Sequence, residues 1–198
     1  MQPRRVAREL ALLGLSQMPP TTDVPLAELI LTALRALTQE LEDTLEQASS
    51  SLKRAYESLE SPPAQAHLTE AIEATRTAIN HLGAATHLPE WVYLAGQAEV
   101  QEFAQKLLFT WQAHKDEIDA LMQKGIKGWQ IQRLHRMERD ILRLGTTELV
   151  YLETPVQIVM NEAVELAKRY CGEDSHRFIN GTLRQIYRVH QGQTASQA

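Results

Sequence analysis

Apolar residues recur every three or four positions along almost the whole chain, which is the spacing typical of amphipathic α-helices. The first helix is predicted over about residues 4–18. Pro19-Pro20 ends it, because proline lacks an amide hydrogen and disfavours helix in the residue before it. No segment shows the alternation of apolar and polar residues that is typical of a strand. The pattern therefore predicts an all-α protein.

The longest pattern predicts a helix from Leu26 to Glu60, which at 1.5 Å per residue would be about 50 Å long. A shorter helix follows Ser61-Pro62-Pro63 and ends near Gly83. Two helices joined by a short proline turn predict an antiparallel hairpin. The inward positions predicted from the spacing are Ile30, Leu34, Leu37, Leu41, Leu45, Ala48, Leu52, Ala55 and Leu59 on the first helix and Leu68, Ile72, Thr75, Ile79 and Leu82 on the second.

Four or five more helices are predicted in the second half of the chain. One apolar stripe of about six turns covers residues 100–121, and another covers 134–152. Thr154-Pro155 has the form of an N-cap followed by a proline at the first helical position. The last helix carries its stripe over residues 179–190.

Charge is distributed unevenly along the 198 residues, whose formal net charge is −5. Residues 1–18 carry +2, residues 19–90 carry −7 and residues 91–198 carry 0. This division predicts that the acidic segment is a separate module or insertion. The net negative charge excludes a globally basic nucleic-acid coat but leaves a local basic patch open. The single cysteine, Cys171, fits a cytoplasmic protein without internal disulfides.

No enzyme signature or cofactor motif is found, so we expect a protein that is not an enzyme. There is no phosphate-binding glycine loop and no His or Cys pattern with metal-ligand spacing. Glu162 and Glu165 form an acidic pair, but neither has a histidine three residues on, which favours a salt-bridged or solvated helix face over a metal site. Cys171 follows a helix C-terminus, where the dipole disfavours a thiolate.

Two basic regions and one aromatic residue are candidates for binding. Arginine guanidinium groups pair with RNA phosphates and stack on unpaired bases, and Arg4, Arg5 and Arg8 crowd the start of the first helix. A second basic run over residues 124–143 includes Lys124 and Lys127 and predicts either a phosphate-binding face or a helix with internal salt bridges. Phe178, at the start of the last helix, predicts either a stacking position or a core aromatic.

Four motifs, in order and spacing, resemble the NusB family, and together they cover roughly residues 3–18 and 98–190. They are Arg4-Arg5 followed by AREL at 7–10; WxxxRLxxxERxILR at 129–143, with Glu148-Leu149; Pro155-Val156 with NEAVELAK at 161–168; and DSxxFINGxL at 174–183.

This resemblance implies a helical bundle of two packed subdomains and a transcription antitermination factor. Proteins of that family pair with the ribosomal protein NusE, bind the boxA element of ribosomal RNA leader transcripts and act on RNA polymerase. By matching position, Arg4, Arg5, Arg8 and Phe178 would contact RNA. Glu138, Asp174 and Ser175 would lie on the partner surface.

Two features depart from the family pattern. Ser16 stands where the family usually has an aromatic residue near the end of the first helix. The segment 19–97 is also much longer than the connection that usually follows the first helix in this family. We therefore expect a single domain over 1–198 that contains the acidic hairpin as an insertion. The hairpin could dock a basic partner, dimerise or brace the fold, and its apolar stripe favours bracing.

Two other functions fit the same pattern less well. A helical scaffold that acts through the acidic hairpin would tolerate replacement of Arg4, Arg5 and Arg8. The RNA-binding domain of an RNA methyltransferase would need an α/β domain with a glycine-rich cofactor loop, and these 198 residues contain none.

Overall fold

A computed structural model describes residues 2–18, 26–60, 65–85, 88–126 and 130–195. Nine α-helices and one short 3-10 turn form within these ranges, which contain no strand, so the prediction of an all-α fold is confirmed. The predicted proline breaks at Pro19-Pro20 and Pro62-Pro63 lie outside the described residues. The helices are α1 (Pro3–Gln17), α2 (Leu26–Glu60), α3 (Gln65–Ala85), α4 (Leu88–Ala95), α5 (Ala98–Ala113), α6 (Lys115–Gly125), α7 (Arg136–Tyr151), α8 (Val156–Tyr170) and α9 (Ser175–Ala195).

The chain divides into two compact units. Leu34–Gly96 forms the hairpin unit, and Gln2–Ala33 together with Gln97–Ala198 forms the core unit. The boundary falls inside α2, whose first eight residues belong to the core unit. The predicted insertion over 19–97 stays a prediction.

Large apolar side chains fill the core unit. Most residues of the predicted stripes in this unit are buried, because each helix turns one apolar face toward its neighbours. α1 packs against α5 and α7, and α9 packs against α6, α7 and α8. The largest fully buried side chains of this unit are Leu10, Leu12, Ile30, Leu107, Leu108, Ile118, Met122, Ile141, Leu142, Ile179 and Leu183.

The apolar stripe predicted over residues 100–121 is buried for the most part, but it spans two helices and not one. His114, with φ −121° and ψ 24°, leaves the helical conformation between α5 and α6. Its N–H donates to Thr110 O and Trp111 O, both at 3.2 Å, and its carbonyl accepts from Ile118 N–H at 2.9 Å. Both helices bury their apolar residues in the same core, so the period continues through a break that neither proline nor glycine marks.

The start of α8 also differs from the prediction by one residue. Pro155, with φ −53° and ψ 128°, is the N-cap, and Val156 is the first helical residue. Thr154 therefore lies before the cap. A proline tolerates either place, because the amide hydrogen that it lacks has no helical acceptor at this end.

The burial of the hairpin unit agrees only in part with the prediction, since Ala48 and Ala55 are buried as predicted and most of the larger predicted residues are not. Ala48, Ser51 and Ala55 of α2 and Ala71 and Ala78 of α3 are buried. Most of the larger residues that were predicted to face inward, and whose side chains the structure describes, are exposed instead. They are Leu45, Leu52, Ile72, Ile79 and Leu82. Small side chains let two helices approach closely, and this approach leaves the large neighbours on the flank of the contact.

Gly125, at the end of α6, lets α9 pack closely against that helix. A β-carbon at this position would lie 3.0 Å from Ile186 Cα and 3.1 Å from Ile186 N, and it would overlap Ile186 Cγ1. Backbone atoms cannot move aside as a flexible side chain can. The small residue is therefore a condition of the α6–α9 contact.

We expect Gly125→Ala to lower the free energy of unfolding by about 1–3 kcal/mol, because the added methyl group overpacks the α6–α9 contact. The measurement is urea unfolding followed by far-ultraviolet circular dichroism. Gly181→Ala is the matched control, since Gly181 lies inside α9 with open space around it. Helix propensity predicts that this control is neutral or stabilising by up to about 1 kcal/mol. Equal midpoints for both variants would contradict the close-packing account.

Candidate nucleic-acid interface

The predicted RNA-binding arginines lie in the first two turns of α1. Pro3 opens the helix, at a position where its fixed φ favours helix formation. Along this helix the apolar residues continue on nearly every side from Val6 to Leu15, and most of them are buried. Charged residues in such a helix must either find partners or point to its exposed edge.

Arg8 points into the core unit, and its side chain is 6 % exposed. Its Nε donates to Glu148 Oε1 at 2.7 Å, and its Nη2 donates to Glu148 Oε2 at 2.8 Å. This two-bond arrangement matches the planar fork of a guanidinium to a carboxylate. An RNA contact at Arg8 stays a prediction, whereas the geometry makes Arg8 a residue that positions α1 on α7.

Arg5 forms a second pair between α1 and α8. Its Nε donates to Glu162 Oε2 at 3.0 Å, and its Nη2 donates to Glu162 Oε1 at 2.9 Å. These hydrogen bonds raise the pKa of Arg5. Arg8 Nη1 lies 3.9 Å from the same carboxylate, so Glu162 faces two cations. The Arg5 side chain is 44 % exposed and can still meet solvent or a ligand.

The acidic pair on α8 has arginine and lysine partners in the structure. Glu162 pairs with Arg5, and Glu165 accepts a hydrogen bond from Lys168 Nζ at 2.8 Å. That hydrogen bond lowers the pKa of Glu165. Among the described residues, no group of three or more His, Cys, Asp or Glu side chains is arranged to hold a metal ion.

Glu9 is a further buried charge on α1, and it faces the end of α8. It accepts a hydrogen bond from the Tyr170 hydroxyl and pairs with Arg169 Nη1 at 2.7 Å. Sequence reasoning missed Glu9 and Glu148 as parts of the site. The sequence feature that could have indicated them is the pair of adjacent charged residues Arg8-Glu9 inside a helix that is otherwise apolar on almost all sides, because buried charges need partners.

Arg4 is exposed, and its guanidinium carbon lies 5.4 Å from the centre of the Phe103 ring on α5. Arg8 approaches the same ring at 5.6 Å. Both distances are in the range of cation–π attraction. The ring also lines a shallow cavity of about 230 Å³ between α1 and α5, together with Pro3, Arg4, Ala7, Glu99, Val100, Glu102 and Lys106.

The structure brings together two of the three predicted partner-binding residues. Ser175 Oγ, at the start of α9, donates to Glu138 Oε1 on α7 at 2.7 Å. Asp174 is exposed just before α9, with Arg177 Nη1 3.8 Å from its carboxylate. Phe178 lies half-buried in the first turn of the same helix.

Cys171 lies close to this cluster. Burial, together with the negative charge of Glu138, raises the pKa of its thiol to about 11. A thiol with such a pKa stays protonated near neutral pH, which disfavours a nucleophilic role.

Three arginines of the second basic run, Arg136, Arg139 and Arg143, form ion pairs inside the core unit. Arg143 donates to both oxygens of Asp119 at 2.9 and 2.7 Å, and it also contacts Asp140 at 3.3 Å. Burial raises the pKa of Asp140 despite these cations. Lys124 is exposed in the last turn of α6, and Lys127 lies outside the described residues.

None of the helices within the described ranges has both the length and the apolar composition needed to cross a lipid bilayer.

The core-unit architecture and most of the sequence match known proteins. The model of the NusB family matches residues 71–188. The transcription antitermination protein NusB of Picosynechococcus sp. is 46 % identical over 197 residues, with coverage of 93 % of this chain and 92 % of that protein. The protein of the same description from Synechocystis sp. is also 46 % identical, over 200 residues, with coverage of 93 % of this chain and 90 % of that protein.

A solved structure of antitermination factors NusB and NusE in complex with double-stranded RNA has a similar fold. Its TM-score is 0.51 at 23 % identity, with coverage of 95 % of this chain and 98 % of the matched chain. On the family match and the two relatives, this chain belongs to the NusB family of transcription antitermination proteins.

Proposed function

We propose that this protein binds boxA-type single-stranded RNA of ribosomal RNA leader transcripts together with the ribosomal protein NusE, and acts with RNA polymerase as an antitermination factor. The observation that carries the proposal is the fixed position of α1, which two arginine–glutamate pairs join to α7 and α8. With Arg8 and Arg5 engaged, Arg4 stands at the exposed edge of the helix above the Phe103 ring.

Arg4 and Phe103 form the centre of the proposed RNA surface. Arg4 and Lys106 at the same cavity would pair with phosphates, and a base would stack on the exposed guanidinium plane. Arg5 would add a partly exposed cation, and Lys124, Lys127 and Phe178 are the further RNA contacts proposed on the sequence. In this scheme Arg8 acts by positioning α1.

The second surface, at Glu138, Asp174 and Ser175, would face NusE. The hydrogen bond from Ser175 to Glu138 fixes the start of α9 against α7 and presents Asp174 to solvent. Residues 91–198 have no net charge, so this chain alone would attract RNA weakly. A partner that supplies further RNA contacts would raise the affinity by acting as the second half of a linked binding site.

We further propose that the protein works in the cytoplasm as one NusB-like domain over 1–198, with the acidic segment 19–97 as its insertion. The single cysteine fits a reducing compartment. The relatives match over 93 % of the chain. The unmatched part is thus too short to contain the whole acidic segment.

We expect Arg4→Ala to weaken binding of boxA-type RNA and to reduce the slope of log K against log salt concentration by about 0.7, the value of one phosphate contact on single-stranded RNA. The measurement is fluorescence anisotropy at two salt concentrations, with and without NusE, and with a scrambled RNA. Arg76→Ala is the matched control, because Arg76 is an exposed arginine of the hairpin unit. An unchanged salt slope in Arg4→Ala would contradict a phosphate contact at Arg4.

We expect Arg8→Met alone to lower the free energy of unfolding by about 3–5 kcal/mol, because it leaves the buried Glu148 carboxylate without its cation. The double variant Arg8→Met/Glu148→Leu removes both charges and should recover most of that loss. Urea unfolding measures the stabilities. If the folded double variant binds RNA as the unmodified protein does, Arg8 makes no direct contact with RNA. A selective loss of RNA affinity at unchanged stability would show that Arg8 does more than stabilise the fold.

Phe178→Leu should lower RNA affinity by about 1–3 kcal/mol, the contribution of stacking one base on an aromatic ring. Leucine keeps an apolar side chain in the first turn of α9, so we expect little change in thermal stability. Phe178→Tyr should retain the affinity. Phe109→Leu, at an exposed phenylalanine of the core unit, serves as the control for general loss of an aromatic side chain. Equal affinity of Phe178→Leu and the unmodified protein would exclude stacking at this position.

A further inference from the structure

The hairpin unit exposes a set of large apolar side chains that the RNA surface does not use. We define the apolar hairpin face as Leu45, Leu52 and Tyr56 of α2 with Ile72, Ile79 and Leu82 of α3. Their exposed fractions range from 42 % to 62 %. Single exposed apolar residues are ordinary, whereas a contiguous group of this kind marks an interaction surface.

The spacing places these six residues on one side of the hairpin. Leu45 and Leu52 are seven residues apart, as are Ile72 and Ile79, so each pair forms a row along its helix. On α2 the buried residues Ala48, Ser51 and Ala55, and on α3 the buried residues Ala71 and Ala78, lie on average about a quarter of a turn around the helix from the exposed pair. The direction of this rotation, viewed along each chain, is the same in both helices. Because the two helices run in opposite directions, equal rotational senses put both apolar rows on the same side.

The other side of the hairpin is polar, which completes the segregation. A groove between α2 and α3 is lined by Asp43, Glu46, Gln47, Ser50, Ser51, Arg54, Thr77 and His81. The acidic residues Asp43 and Glu46 thus lie on the groove side. The basic residues beside the apolar hairpin face already have acidic partners on their own helices: Lys53 pairs with Glu57 at 3.9 Å, and Arg76 pairs with Glu73 at 2.6 Å.

This charge distribution favours an apolar partner over a basic one. Asp43 and Glu46 line the groove together with Arg54, while the apolar hairpin face is bordered by ion pairs whose charges neutralise each other. A basic partner would gain little from docking on the apolar side. A surface of the same kind, apolar at its centre and neutral at its border, fits better, and a second copy of this chain supplies it.

We propose that the apolar hairpin face is a homodimer interface, in which two hairpins pack face to face as a four-helix bundle. Rows with seven-residue spacing on both helices provide the layers that such bundles use for knobs-into-holes packing. A two-fold arrangement is self-complementary, because each copy presents the same patch to the other. The small residues between α2 and α3 would then form the inner contact of each hairpin.

The available area suits a reversible dimer. Eleven residues of helix span about 16 Å, which side chains at both ends extend to about 25 Å. Two helices side by side are about 20 Å wide, so each copy would bury roughly 500 Å² and the dimer roughly 1,000 Å². That total is at the lower limit for specific interfaces, and we expect a dissociation constant in the micromolar range.

The test is sedimentation velocity of the full chain over a concentration series from low to high micromolar. We expect a monomer–dimer equilibrium that Leu52→Lys/Ile79→Lys weakens by about 100-fold or more, since the symmetric contact loses four apolar side chains. Leu52→Met/Ile79→Leu should retain the dimer, because it conserves apolar volume. Phe109→Lys is the control, as Phe109 is 66 % exposed in the core unit.

Salt distinguishes this contact from RNA binding. Dimerisation through an apolar face should be unchanged or strengthened by added salt, whereas RNA affinity falls with salt. A chain that stays monomeric throughout the series would overturn the proposal and would leave the apolar hairpin face to another protein. A dimer that the lysine double variant leaves intact would also overturn it. Neither result depends on whether the protein binds RNA.

Discussion

The packing of the core unit depends on the ion pair between Arg8 of α1 and Glu148 of α7, which both lie almost completely out of water. Removing two charges from water costs several kcal/mol, and only short, well-aligned hydrogen bonds offset that cost. Both oxygens of Glu148 accept such bonds. The two bonds form together only when α1 has one particular rotation about its axis and one distance from α7. The pair therefore decides which side of α1 faces outward.

The neighbouring charges extend this constraint to α8. Glu162 receives Arg5 and lies near Arg8, while Glu9 of α1 receives Tyr170 and Arg169. The carboxylates of Glu9, Glu148 and Glu162 thus hold α1 against α7 and α8, and they fix its position along those helices as well as the contact itself. The exposed position of Arg4 over Phe103 follows from these pairs, since Arg4 occupies the edge that the buried charges leave open.

The two units use opposite solutions to helix packing. In the core unit, leucine and isoleucine fill the space between helices, and glycine appears where α6 and α9 approach closely. In α2 and α3 of the hairpin unit, the buried residues are alanines and a serine, and six large apolar side chains are exposed on one flank. An apolar period of three or four predicts a helix in both cases. It does not distinguish a row that packs inside the unit from one that remains available to a partner.

The sequence by itself determined the helical class, most of the helix boundaries and the family, because these follow from apolar spacing and from motifs within single segments. Tertiary structure alone decided which charges are buried: Arg4, Arg5 and Arg8 have the same chemistry, and their partners Glu148 and Glu162 are about 140 and 157 residues away. It also decided the break at His114 and the outward face of the hairpin, since both depend on what each side chain packs against. The spacing of apolar residues within a segment predicts a helix, whereas the burial of each side chain depends on which residues from distant parts of the chain pack against it.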